Sequence, residues 1–158
     1  MSTRNERLQN VYRHYKEQTG NISVDADQLA EWAMARGMAA PQPKTAKELL
    51  AAQFSDALRA EYETDEDTGL EYRKNHNIRY PKSDGRQGSL WFDIDDASYA
   101  HMSASLTNRR QQMVGDAVHL KTDEFIWNKK NPNEQQIKLH MDFTEDVQEN
   151  FALKDVMI

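Results

Sequence analysis

Apolar positions recur along this chain at a spacing that switches from helical to alternating and back, and the switches mark its elements. From Thr3 to about Gln18, Leu8, Val11, Tyr12 and Tyr15 follow the i, i+3, i+4, i+7 spacing of one helix face, and Thr3 with Glu6 has the form of a capping box. Thr19-Gly20-Asn21 closes this helix, and Ile22-Ser23-Val24 alternates as one turn or a very short strand would. Asp25 or Asp27 then caps a second predicted helix, with Leu29, Trp32, Ala33 and Met38 facing inward and Gly37 near its end. Pro41-Gln42-Pro43 interrupts the chain, and Thr45 with Glu48 forms a second capping box. A third helix is therefore predicted from about Lys44. Ala46, Leu49, Leu50, Phe54, Ala57, Leu58 and Tyr62 carry its stripe to about Glu63, where the polar run from Thr64 to Gly69 stops it.

The period then becomes two. A strand over Leu70 to Tyr80 puts Tyr72, Lys74, His76, Ile78 and Tyr80 on one face and Arg73, Asn75, Asn77 and Arg79 on the other. After a loop from Pro81 to Gly88, a second strand over Ser89 to Asp95 turns Leu90, Phe92 and Ile94 toward the helices. Asp95, Asp96 or Ser98 can cap a long fourth helix with Met102, Leu106, Met113, Ala117 and Leu120 on its apolar side, widened by Val114 and Val118. Phe125-Ile126-Trp127 is an apolar patch after another start signal at Thr122-Asp123, and Asn128 to Asn133 reads as a loop. Ile137, Leu139, Met141 and Phe143 alternate with Gln136, Lys138, His140 and Asp142, which predicts a third strand. Thr144 to Asn150 is acidic and polar, and Phe151 to Ile158 either packs back or serves as a docking tail.

These elements predict an α+β fold in a single domain over residues 1–158: an N-terminal three-helix unit, a β-hairpin, a long fourth helix and a C-terminal strand. Residues 3–95 form its core and 96–158 an extension. The length suits one domain of about 100–150 residues. The order helix, short extended piece, helix, helix, strand, basic loop, strand over Thr3 to Asp95 resembles the winged-helix superfamily. The resemblance implies that the helix from Lys44 to Glu63 takes the recognition position and that Pro81 to Gly88 is the wing. Two features depart from it. The connection from Gly37 to Lys44 is longer and richer in proline than the turn of a helix-turn-helix. The helix itself sets Lys44, Lys47 and Arg59 against Glu48, Asp56, Glu61 and Glu63, a poor balance for neutralising phosphates.

Charge and composition narrow the chemistry. Hydrophobic residues make up 38% and charged residues 29%, so the expectation is a modest core under a charged surface. With 20 Lys+Arg against 26 Asp+Glu the net charge is -6, and contact with DNA would need a local basic patch. Cysteine is absent, the first residues carry no apolar leader pattern, and no run of about 18 apolar residues occurs. The expectation is a cytoplasmic protein with no membrane partner. None of the five histidines, His14, His76, His101, His119 and His140, has metal-ligand spacing to another, so no metal and no cofactor is expected. Asp93 and Asp95 point the same way on a strand and leave a Mg²⁺-dependent hydrolase as a minor alternative, although Asp95 also suits a helix cap. No nucleophile elbow, Walker loop or dinucleotide glycine pattern is present, and the expectation is that the protein is not an enzyme.

What remains is the hairpin. From Glu71 to Gly88 it carries Arg73, Lys74, Arg79, Lys82 and Arg86 against Glu71 and Asp84, five positive minus two negative charges, with His76 among them. Arg109 and Arg110 on the fourth helix complete a candidate set for nucleic acid or a partner, since Arg and Lys supply phosphate contacts. Edge strands also carry such residues merely to block edge pairing. The leading expectation is a non-enzymatic winged-helix-like binding module, a nucleic-acid-associated regulator or assembly subunit, contacting DNA through the hairpin. The alternative is an acidic protein-interaction or inhibitor module, using the acids from Glu61 to Asp67, whose partner is a protein such as a nucleic-acid enzyme. Trp91, Phe125, Trp127 and Val156-Met157-Ile158 offer an apolar surface for such a partner or a homodimer, and no small-molecule cofactor is implied.

Overall fold

Capping chemistry sets the first elements. The structure, a computed structural model, describes residues 2–158, and the chain divides into two compact units that meet in sequence at Leu49 and Leu50. In the first unit α1 (Arg4–Thr19) begins with a reciprocal box: Thr3 Oγ1 accepts from the Glu6 amide at 3.2 Å, and the Thr3 amide donates to Glu6 Oε2 at 2.6 Å. Gly20 ends it at φ 69°, a left-handed backbone that glycine adopts without strain. Asp25 caps α2 (Ala26–Ala35) by accepting from the amides of Asp27 and Gln28. Tyr15 meets the Trp32 ring edge-on at 5.3 Å beside the buried Ala33, which ties the two helices. Ile22 to Val24 forms no strand, and Ile22 stands in solvent.

Thr45 and Glu48 form the second expected box at the start of α3 (Ala46–Ala60), which has no buried residue. The helix stops short of Glu63 because the next residues are claimed by a sheet. β1 (Tyr62–Thr64) pairs antiparallel with β2 (Glu71–Arg73), and β3 (Asn75–Pro81) pairs antiparallel with β4 (Gln87–Asp93). The expected strand from Leu70 to Tyr80 is thus broken at Lys74 into strands of two different hairpins. The β1–β2 hairpin, inserted between α3 and β3, is a departure from winged-helix order. At the tip of the second hairpin Gly88 lies opposite Tyr80, where a Cβ would come within 2.6 Å of the ring. Glycine is what lets that aromatic ring lie across the strand.

Ser98 caps α4 (Tyr99–Lys130) by accepting from the His101 amide at 3.2 Å. The start signal at Thr122-Asp123 does not interrupt this helix, because the Thr122 hydroxyl donates back to the Val118 carbonyl at 2.8 Å. The apolar patch at Phe125 to Trp127 therefore belongs to its last turns. The expected C-terminal strand does not form. Residues 137–143 form no ladder, and side chains of α4 hold the backbone at Ile137 and Leu139 instead. Asn128 brackets Ile137, donating to its carbonyl at 2.8 Å and accepting from its amide at 2.9 Å, while Glu124 accepts from the Leu139 amide at 2.8 Å. The acidic run that follows is helical, α5 (Thr144–Ala152). Among the described residues the fold is α+β, with five helices and two small antiparallel sheets, and no helix is long and apolar enough to cross a membrane.

Candidate functional site: an arginine-lined cleft

Two periodicities meet in the second unit. On the strand side Arg73, Asn77 and Arg79 share the parity that the alternating pattern assigns to one face. On the helix side Ser105, Asn108, Arg109 and Gln112 follow i, i+3, i+4, i+7, one stripe of α4. The two stripes face each other across a cleft of about 470 Å³, which Arg59 from the end of α3 also lines. Four guanidiniums, those of Arg59, Arg73, Arg79 and Arg109, thus open on one space, with Asp116 as the acid at its edge.

Beside the cleft, β3 is fastened to the end of α3 and carries a run of stacked rings. The Asn75 side chain donates through Nδ2 to the Leu58 carbonyl at 3.3 Å and to Glu61 Oε2 at 2.6 Å, which fastens the end of α3 to β3. His76 is buried, 7% exposed, and stacks with Phe92 at 6.3 Å, which in turn stacks with His101 at 5.3 Å. The Arg73 carbonyl lies 3.1 Å from His76 Nε2 and can only accept, so that nitrogen carries the proton. Burial lowers the His76 pKa below the ordinary histidine value, and the charges of Arg109 and Arg73 lower it further, against the raising effect of that hydrogen bond. Arg59 lies over the Trp91 ring at 5.6 Å and pairs with Asp56 at 3.3 Å, and Arg73 donates to the Tyr62 hydroxyl at 3.3 Å. The side chains of Arg79 and Arg109 make no hydrogen bond or ion pair with any described residue.

The residues expected from the sequence divide among different places. Arg73, Arg79 and Arg109 line the cleft, and His76 lies beside it at a hollow of about 30 Å³. Lys82 and Arg86 are exposed on the β3–β4 loop and are not part of the lining, and Arg86 lies 4.0 Å from Asp84. Arg110 faces elsewhere, onto a groove of about 880 Å³ beside Met113, Val114, Ala117, Met141 and Phe143. Lys74 is not a free contact residue. Its ammonium is 14% exposed and sits 2.5 Å from Asp95, 3.2 Å from Glu63 and 3.3 Å from Asp93. The hydrogen bond to Asp95 leads in raising its pKa, with Glu63 and Asp93 adding to it against the cost of burial. The Asp93–Asp95 pair considered for Mg²⁺ is therefore occupied by a lysine, which ties the two hairpins where the strand breaks. Among the described residues no three His, Asp or Glu side chains are grouped to hold a metal ion.

The cleft residues outside the expected set are Arg59, Asn77, Ser105, Asn108, Gln111 and Gln112, together with Met113 and Asp116. A polar stripe was present on the fourth helix at the correct spacing, but its value depended on which strand residues lay opposite. Fold and cleft together define an α+β protein with a basic, polar cavity suited to an anion. Comparison with protein-family models, with curated proteins and with solved structures finds no match.

Proposed function

We propose that the protein is a non-enzymatic binding module, a nucleic-acid-associated regulator or assembly subunit of the cytoplasm, that takes a nucleic-acid strand in the cleft between β3 and α4. The observation that supports it is the convergence of four arginines on one cavity, two of them with no side-chain partner among the described residues, in a chain of net charge -6. Planar forked donors suit phosphate, and those of Arg79 and Arg109 have no side-chain partner among the described residues. Lys82 and Arg86 on the neighbouring loop supply further positive charge along the path of a strand. Apart from Arg59, α3 has no part in this reading.

Binding of short single-stranded and duplex DNA and RNA at low salt, followed by fluorescence anisotropy, tests it. Binding is expected, and Arg79→Ala with Arg109→Ala should weaken it by about a hundredfold, two charge-assisted contacts at roughly 1.5 kcal/mol each. Undiminished binding by that double variant, or none by the native chain, removes the reading.

A second reading, a protein-interaction module, is favoured by the groove beside α4. Val114, Val118 and Leu120 on the helix and Phe143 on the returning segment are exposed around it. A second copy of the chain is the occupant in this reading, and sedimentation that stays monomeric at rising concentration removes it.

A further inference from the structure

Among the described residues Ser105 is the most deeply buried, 1% exposed, and its hydroxyl has no hydrogen-bond partner there. In a helix interior a serine hydroxyl commonly donates to the carbonyl one turn back. Here it does not, although leaving a buried hydroxyl unpaired is unfavourable. The same residue lines both the arginine cleft and the hollow of about 30 Å³ beside it, which has room for about one group the size of a water oxygen. A hydroxyl without a partner among the described residues thus lies beside a cavity lined by four arginines.

From this juxtaposition we infer that the cleft recognises the terminal phosphomonoester of a nucleic-acid strand, with the Ser105 hydroxyl donating to one of its oxygens. The inference rests on the nucleic-acid reading above and narrows it to strand ends. An internal phosphodiester has only two free oxygens and a sugar on each side, so it can lie along the mouth of a cleft but cannot insert. A terminal phosphate has three strong acceptor oxygens and a charge of about -1.5 to -2, and its free side can enter first. Arg79 and Arg109, whose side chains lack partners among the described residues, supply the forked donors for the oxygens nearer the mouth. A nucleic acid is the phosphate carrier favoured by the four amide side chains in the rest of the lining, which also holds Met113 and Asp116. Asn77, Asn108, Gln111 and Gln112 each present a donor and an acceptor, the pairing that base edges require. The cavity of about 470 Å³ is of the size that holds one small ligand such as a nucleotide.

The test uses the full chain and one single-stranded oligonucleotide in three forms: with a 5′-phosphate, with a 3′-phosphate, and with hydroxyls at both ends. A phosphoserine peptide serves as the fourth probe. Affinities are read by fluorescence anisotropy at about 50 mM salt, where phosphate contacts are strong. One phosphorylated end is expected to bind about tenfold or more tightly than the hydroxyl form. Ser105→Ala should reduce that preference about three- to tenfold, as loss of one hydrogen bond to a charged group does. Arg109→Gln should reduce it as well, while Arg110→Gln, outside the cleft, leaves it in place. Circular dichroism melts confirm that each variant is folded, and Arg109, at the surface of α4, carries the test should Ser105→Ala unfold. Equal affinity for the three forms overturns the terminal-phosphate inference and leaves the nucleic-acid reading standing. Failure to bind any strand overturns both. A preference that survives in both cleft variants, or a phosphopeptide bound as tightly as the phosphorylated strand, also overturns the inference.

Discussion

His76 lies beside an electropositive cleft as a neutral ring, and its titration reports on both folding and ligand. Its folded pKa lies below the unfolded value of about 6.5 because burial opposes the charge and Arg109 and Arg73 repel it. The unfolded state therefore binds more protons in the window below about pH 6.5, and stability rises with pH through it. Acidification from about pH 7 to 5 should lower the melting temperature of the native protein more than that of His76→Gln, which has no proton to gain. An anion in the cleft offsets the two arginines, so an NMR titration of the His76 ring should show its pKa moving up when a strand is bound. No movement on binding would place the ligand elsewhere. Lys74 shows the opposite fate of a basic residue. From composition it belongs with the other cations of the hairpin, yet Glu63, Asp93 and Asp95 hold its ammonium as a structural tie.

Among the elements, helix starts were the most legible part of the chain. Thr3 with Glu6, Asp25, Thr45 with Glu48, and Ser98 all act as the caps that local chemistry suggests, because a cap needs only residues within one turn of each other. The period-two run from Ile137 to Phe143 was misleading in a specific way. Alternation reports one apolar face, but this segment forms no strand, and its hydrogen-bond partners at Ile137 and Leu139 are Asn128 and Glu124 on a helix. Asn128→Ala should remove the bracket at Ile137, costing about 1 kcal/mol for bonds at the surface. Hydrogen exchange should then show the Ile137 amide losing protection, while the Leu139 amide, held by Glu124, keeps more of its own. Retained protection at Ile137 would mean that apolar packing, not the bracket, holds the segment.

For the whole molecule the balance of charge is the deciding quantity. A net charge of -6 repels nucleic acid at long range, and only the local group of arginines reverses the sign. Binding in the cleft should therefore be steeply dependent on salt. With four guanidiniums engaged, the slope of log affinity against log salt for a single strand is expected near about -3, and removing Arg79 and Arg109 should flatten it by about 1.4. An unchanged slope in the double variant would show that the phosphates lie on other cations, such as Lys82 and Arg86.

The α+β class, the four long helices, the β3–β4 hairpin and its basic character are all determined by the sequence alone, since each rests on periodicity, caps and turns among near neighbours. The tertiary structure decided three things that local pattern does not contain. It broke the first strand at Lys74, because three carboxylates distant in sequence converge on that ammonium. It turned the last alternating segment onto α4. It also separated Arg109 from Arg110, since adjacent residues of a helix point about 100° apart and only one of the two can face β3. The wing was the natural candidate while the chain was read in order. The cleft exists only because a strand stripe and a helix stripe, some thirty residues apart, are packed face to face with the Ser105 hydroxyl beside them.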